Sequence, residues 1–245
     1  MKSKDIVIVG ILLGIGAIVR YVSLIAPGPI TSNLVIAFYS LAIVLVAPRV
    51  KEALGIGIVA GIICALISHS LFPPANLISE PIGALVAIFA IIGVNKLVGT
   101  KERKDNAIGF VITGIGLIAM LAFTLFFALD QYKVLAFPLL TTANTKIAFG
   151  AISVLVALVG LYFIPNTLAK FKAAIVALLA TLASGISFIV VAALVIFAVP
   201  GILFTTKAPP VDVFVLSALP IVIGCAIINM ILAQILYFPA KKAMR

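Results

Sequence analysis

The residues of this chain best suited to chemistry crowd into SHSLFPPANLISEP, residues 68–81. That stretch holds the single histidine, His69, one of the seven acids, Glu80, and Asn76 beside a pair of prolines. Imidazole, carboxamide and carboxylate orient a small polar solute through hydrogen bonds and charge. They do not suffice for a metal site, because one histidine, sparse carboxylates and two isolated cysteines, Cys64 and Cys225, give no ligand spacing. No GxxxxGK followed by Ser or Thr, no HExxH and no GxSxG is present. The chain therefore reads as neither an enzyme nor a cofactor protein. A second reading stands beside Glu80: an acid just before Pro81 is also good helix-start chemistry, with Ser79 or Glu80 as the cap. Arg20, near the end of the first apolar run, either snorkels to headgroups or pairs with a substrate carboxylate or with Glu80. Asn33, Asn144 and Asn229 are further polar handles, and Asn229, inside the last apolar run, is expected to bond a neighbouring helix.

These groups sit in a chain that is 64% hydrophobic and 10% charged. A soluble domain carries about 25% charged residues, so polar groups here are too few to cover an aqueous surface. The chain is read as an integral membrane protein. Eight apolar runs approach the roughly 17–25 residues that a crossing needs: 5–26, 31–48, 53–72, 79–98, 106–129, 146–164, 172–199 and 211–238. The fold class expected is all-α, a polytopic transmembrane bundle of about eight spans forming one domain over residues 1–245. The net charge of +10 does not indicate nucleic acid, because the cations lie in short clusters between apolar runs, where they set orientation. With the N-terminus in the cytoplasm, Arg20, Lys133, Lys146 and Lys207 fall at outer ends and the other 13 of the 17 cations fall inside. An even number of crossings follows, with both termini cytoplasmic, in the cell membrane. The N-terminal run reads as the first span, not a cleaved signal.

On this topology residues 68–81 form an outer turn, joined by the outer segments 26–33, 130–146 and 200–212. Irregular polar backbone is tolerated at membrane depth only where protein or water covers it, so a pocket opening outward is expected. Gly10 and Gly14 in the first run, and Gly57, Gly61 and Ala65 in the third, are small residues four apart on one helix face. Such faces let helix backbones touch, either within this chain or against another membrane subunit.

The small-residue first span, the proline-rich APGPITSN, the PRVKEALGIGIVAG join and the AKFKAAIVALLATLASG and FPAKKAMR segments near the end together resemble the S components of energy-coupling factor (ECF) transporters. Within that family PRV…GIVAGI and the EPIGA start of the fourth span are most similar to the tryptophan-type S components. The resemblance covers residues 1–98 and 170–245 and implies a six-helix core, with 105–165 as an inserted helical pair. It implies a substrate-binding subunit for a small nutrient, a vitamin or amino acid such as tryptophan, embedded in membrane lipid. It also implies separate partner chains: a coupling transmembrane subunit that docks at Gly10 and Gly14, and two ATPase subunits. The substrate would lie between the outer helix halves, with Arg20, Asn33, His69, Asn76 and Glu80 as candidate contacts. A stand-alone secondary transporter is the alternative, disfavoured by how few charges lie mid-span.

Overall fold

A computed structural model describes residues 1–25, 31–99, 105–131, 143–198 and 210–244. The chain is all-α, and every apolar run read from the sequence becomes a helix. These are α1 (Ser3–Ser23), α2 (Val35–Val46), α3 (Val50–Leu66), α4 (Asn76–Gly99), α5 (Ala107–Gln131), α6 (Ala143–Tyr162), α8 (Lys172–Ala198) and α9 (Val211–Ala243), with a one-turn α7 (Pro165–Lys170) between α6 and α8. Six of them are long and apolar enough to cross a membrane. The protein is a multi-pass membrane protein.

Of the eight apolar runs, those that form α2 and α3 give the shortest helices, and α2 is the shorter. This helix has 12 residues, about 18 Å at 1.5 Å per residue, against a hydrocarbon core of about 30 Å. Irregular backbone at 31–33 precedes it. Ten of its residues, Val35 through Val44, are buried, because α1, α4, α8 and α9 pack around it. A helix apolar on all sides is stable only in such a setting. Local chemistry ends it sharply. Ala47 takes a left-handed conformation (φ 48°) as the C-cap and returns its N–H to the Ile43 carbonyl. Pro48 cannot continue the helix, and Arg49 opens α3, its backbone N–H donating to the Glu52 carboxylate at 2.7 Å.

Both chain ends lie at one end of the bundle. The Met1 ammonium pairs with Glu52 at the start of α3, and Lys4 Nζ donates to the Met244 carbonyl. The core divides into two main clusters. One joins α1 to α4 with α8, and the other joins α5 and α6 with α8 and α9. Helix α8 serves both, and α5 and α6 pack chiefly against each other.

The two glycine pairs part company. A Cβ on Gly57 would lie 2.7 Å from Pro81 Cα, and one on Gly61 would lie 2.7 Å from the Asn76 carbonyl oxygen. The pair in α3 therefore serves packing within the chain, against α4, and is not an outward docking face. Gly10 and Gly14 are exposed, and a Cβ on either meets nothing within 4 Å.

Candidate functional site

Helix α4 begins earlier than expected, and this decides the fate of Glu80. Pro73 and Pro74 form a 3-10 turn, and Asn76 Nδ2 donates to the Pro73 carbonyl at 2.7 Å, so the α-helix starts at Asn76. Glu80 then lies in the second turn, with its side chain inside the bundle and 1% exposed. It is not a helix cap. One carboxylate oxygen accepts from Asn33 Nδ2 and, at 2.9 Å, from Ser184 Oγ on α8. The other oxygen has no hydrogen-bond partner. The buried Tyr39 hydroxyl of α2 faces the same carboxylate and also has no partner of good geometry. A buried acceptor left unmade costs about 1–3 kcal/mol, so the second oxygen favours a further donor.

The carboxylate opens into a cavity of about 30 Å³ between α2, α4, α8 and α9. Its polar lining is Thr31, Asn33, Ser70, Asn76, Glu80, Thr181 and Ser184, and its apolar wall includes Ile36, Phe188, Ile221 and Val222. That volume holds a water or two, so a larger solute enters only when the walls part. The wall nearest the helix ends is a clasp of small hydroxyl residues. The Thr31 N–H donates to Ser70 Oγ at 2.8 Å, Thr31 Oγ1 lies 3.1 Å from Ser68 Oγ, and the His69 N–H donates to Thr31 Oγ1 at 2.9 Å. These bonds tie the start of α2 to the turn after α3.

Arg20 is buried, 1% exposed, and does not snorkel. Its Nε donates to the Ile67 carbonyl at 2.7 Å and one Nη to the Cys64 carbonyl at 3.1 Å. It thus caps the C-terminus of α3, where a cation is favourable. Its other Nη is buried without a partner. Arg20 and Glu80 do not form an ion pair; Met1 and Glu52 do. The bundle interior therefore holds an acid and a base, each with a free hydrogen-bonding atom. Both lie near helix ends, Arg20 in the last turn of α1 and Glu80 in the second turn of α4, and both are nonetheless buried.

Of the five candidate contacts, Asn33, Asn76 and Glu80 line the cavity. Arg20 is buried but is not part of the lining, and His69 is exposed and contributes only its backbone. The side chain of Asn144 lies outside the described residues. Asn229 bonds neighbouring elements as expected, donating to Thr181 Oγ1 at 3.0 Å and to the Asn33 carbonyl at 2.8 Å. Sequence reasoning missed Tyr39, Thr181 and Ser184. The available signal was the i, i+3 spacing of Thr181 and Ser184, which puts two hydroxyls on one face of an apolar helix.

A family model described as "Tryptophan transporter TrpP" matches residues 2–130. The chain belongs to the TrpP family. A "Probable tryptophan transport protein" of Bacillus subtilis (strain 168) is 36% identical over 123 residues, 48% of this chain and 65% of that relative's length. The chain thus spans less than two thirds of the curated relative it matches. No solved structure matches it. Within this TrpP-family chain the matched stretch supplies the Thr31, Asn33, Ser70, Asn76 and Glu80 side of the cavity; the α8 and α9 wall lies beyond it.

Proposed function

We propose that this chain is the substrate-binding membrane subunit of an ATP-driven, ECF-type importer whose cargo is tryptophan. The observation that carries the reading is the Glu80 carboxylate: fully buried, held from one side by Asn33 and Ser184, with its second oxygen free at a cavity. A free carboxylate oxygen in an apolar bundle is an acceptor for an ammonium. Phe188, Ile36, Ile221 and Val222 offer an apolar wall for the ring. A cavity this small needs the Thr31–Ser70 clasp to open before cargo enters, which couples binding to a change in the outer ends of α2, α3 and α4.

Partner docking is assigned to α1. Gly10 and Gly14 are uncovered, and Ile6, Val7, Ile11, Ile15 and Ile18 beside them are exposed. A coupling subunit would lay a helix along this face. Two ATPase subunits would be separate chains, consistent with the missing phosphate loop. Both termini, at one end of the bundle, would lie in the cytoplasm, on the side where 13 of the 17 cations fall. Residues 105–165, chiefly α5 and α6, are read as a pair added to a six-helix core.

The chain contains no tryptophan. Ligand tryptophan fluorescence is therefore observable against a dark background, and titration of purified protein with L-tryptophan tests the reading directly. Saturable quenching or enhancement is expected; none would overturn the cargo. The buried Arg20 and Glu80 also give specific support to a second reading, a stand-alone secondary transporter, because intramembrane ionisable groups mark ion-coupled pathways. Uptake in cells that lack a coupling subunit, abolished by a proton uncoupler, would favour it.

A further inference from the structure

The cavity beside Glu80 borders a single formal charge. Among the described residues its lining holds no lysine, arginine or histidine, and Glu80 is its one acid. Arg20, the buried cation of the bundle, does not reach it. The guanidinium is turned to the Ile67 and Cys64 carbonyls at the end of α3. A free amino acid carries two charges, and the lining has a counter-charge for one of them.

The neutral polar groups of the lining do not make up the difference. A hydroxyl has one proton to give. That of Thr181 goes to the Ala177 carbonyl at 2.7 Å, and its oxygen accepts from Asn229 Nδ2. That of Ser184 goes to Glu80 at 2.9 Å. The Thr31 N–H is held by Ser70 Oγ, and the Asn33 and Asn76 amides donate to Glu80 and to the Pro73 carbonyl. What the lining leaves unmatched is an acceptor, the second oxygen of Glu80. An ammonium entering here meets a carboxylate. A carboxylate entering here meets no cation and shares a small space with a like charge, which is unfavourable where water is scarce.

We infer, on the reading of this cavity as the cargo site, that it recognises the ammonium and the aromatic body of its ligand and makes little use of a carboxylate. Its ligand class is the arylalkylammonium ion, of which an aromatic amino acid is one member. The ring lies on the wall of Ile36, Phe188, Ile221 and Val222, the ammonium on Glu80, and the amino-acid carboxylate on the side away from Glu80. An amine with the same ring and no carboxylate keeps both contacts. An acid with the same ring and no amine keeps only the first.

Fluorescence titration of the purified full-length protein with L-tryptophan, tryptamine and indole-3-propionate tests this, since all three carry the same indole and the chain contains no tryptophan. Kd for tryptamine should lie less than about tenfold above that for L-tryptophan, because tenfold or more is what a lost charge-assisted contact would give. Indole-3-propionate should bind at least about 100-fold more weakly than tryptamine, having lost the ammonium and set a second carboxylate against Glu80. Glu80→Gln should weaken L-tryptophan and tryptamine by the same factor, which separates binding in the cavity from partition into detergent. Arg20→Gln should leave the ratio of those two constants unchanged, whatever it does to the melting temperature. A preference for L-tryptophan over tryptamine of about tenfold or more overturns the inference. So does an Arg20→Gln variant that weakens L-tryptophan alone, since the guanidinium would then hold the carboxylate. Indole-3-propionate binding comparable with that of tryptamine, or tryptamine binding untouched by Glu80→Gln, overturns it equally. Saturable tryptamine binding without L-tryptophan binding would uphold the inference and remove tryptophan as cargo, and binding of neither overturns both.

Discussion

Replacing Glu80 by glutamine separates what the carboxylate does for folding from what it does for cargo. In the free protein glutamine keeps an oxygen that accepts from Asn33 Nδ2 and Ser184 Oγ. Its amide NH2 stands where the unpartnered oxygen was, beside the Tyr39 hydroxyl, which is itself without a partner. The hydroxyl can donate to a carboxylate oxygen or accept from an amide, so stability should change little. For a chain of this size about 1 kcal/mol shifts the melting temperature by about 2–4 °C, and a change no larger than that is expected. Binding should move the other way. The ammonium of an amino acid on a buried carboxylate is a charge-assisted hydrogen bond of about 1.5–3 kcal/mol. At about 1.4 kcal/mol per decade, Kd for L-tryptophan should rise by about 10- to 100-fold. Fluorescence titration of ligand tryptophan and a thermal melt, run on the same preparations, read both quantities. An unchanged Kd refutes the assignment. A melting temperature lowered well beyond that range would make Glu80 a structural residue whose loss reaches binding indirectly.

The glycines give two further tests, and surface cysteines a third. Gly57→Ala should destabilise the free protein by about 1–3 kcal/mol through overpacking, since its Cβ would press on Pro81 Cα at 2.7 Å and Ala84 Cβ at 2.8 Å; a melt within error of wild type would show that α3 and α4 slide apart freely. Gly10→Leu and Gly14→Leu should leave both melt and tryptophan binding unchanged, because their Cβ positions are open, while copurification with a coupling subunit is lost; wild-type yield of the complex would remove α1 as the docking face. For orientation, cysteine placed at the exposed His69 should react with an impermeant maleimide in intact cells, and cysteine at the exposed Lys51 only after permeabilisation. Cys64 and Cys225 are buried and give a quiet background, and labelling at residue 51 from outside would invert the topology.

What the sequence made legible follows from the period and length of its patterns. Apolar runs bounded by prolines and basic turns place all eight apolar helices, because in a bilayer an apolar run has no other way to satisfy its backbone. The length of α2 was not legible, since a run that is apolar throughout looks the same whether lipid or protein surrounds it, and only the helices packed on it reveal which. Glu80 was named as a candidate contact, yet its local setting pointed to an exposed helix start. Proline pairs normally end structure; here Pro73 and Pro74 begin it, and the Asn76 side chain secures the first turn one residue later. That shift of a few residues rotates Glu80 from the rim into the interior.

Thr181 and Ser184 were hidden for a different reason. Hydroxyl residues in apolar helices commonly bond their own preceding turn, as Thr181 does to the Ala177 carbonyl and Ser187 to the Ala183 carbonyl. Composition cannot distinguish that use from Ser184, whose hydroxyl is turned instead to Glu80, 104 residues away in sequence. Arg20 illustrates the same limit with a charge. A cation near a helix end reads as a snorkelling side chain, but the end that matters is that of α3, whose last carbonyls it covers. Capping α3 uses only part of the guanidinium. With one Nη of Arg20 and one oxygen of Glu80 both buried and unmatched, the bundle retains a separated pair of opposite charges. The two are linked through Cys64, whose carbonyl accepts from Arg20, and Asn33, which donates to Glu80 and is joined to Cys64 by a weak Sγ–H···Oδ1 contact at 3.5 Å; of the two charges, only that of Glu80 borders the cavity on which the proposed function rests.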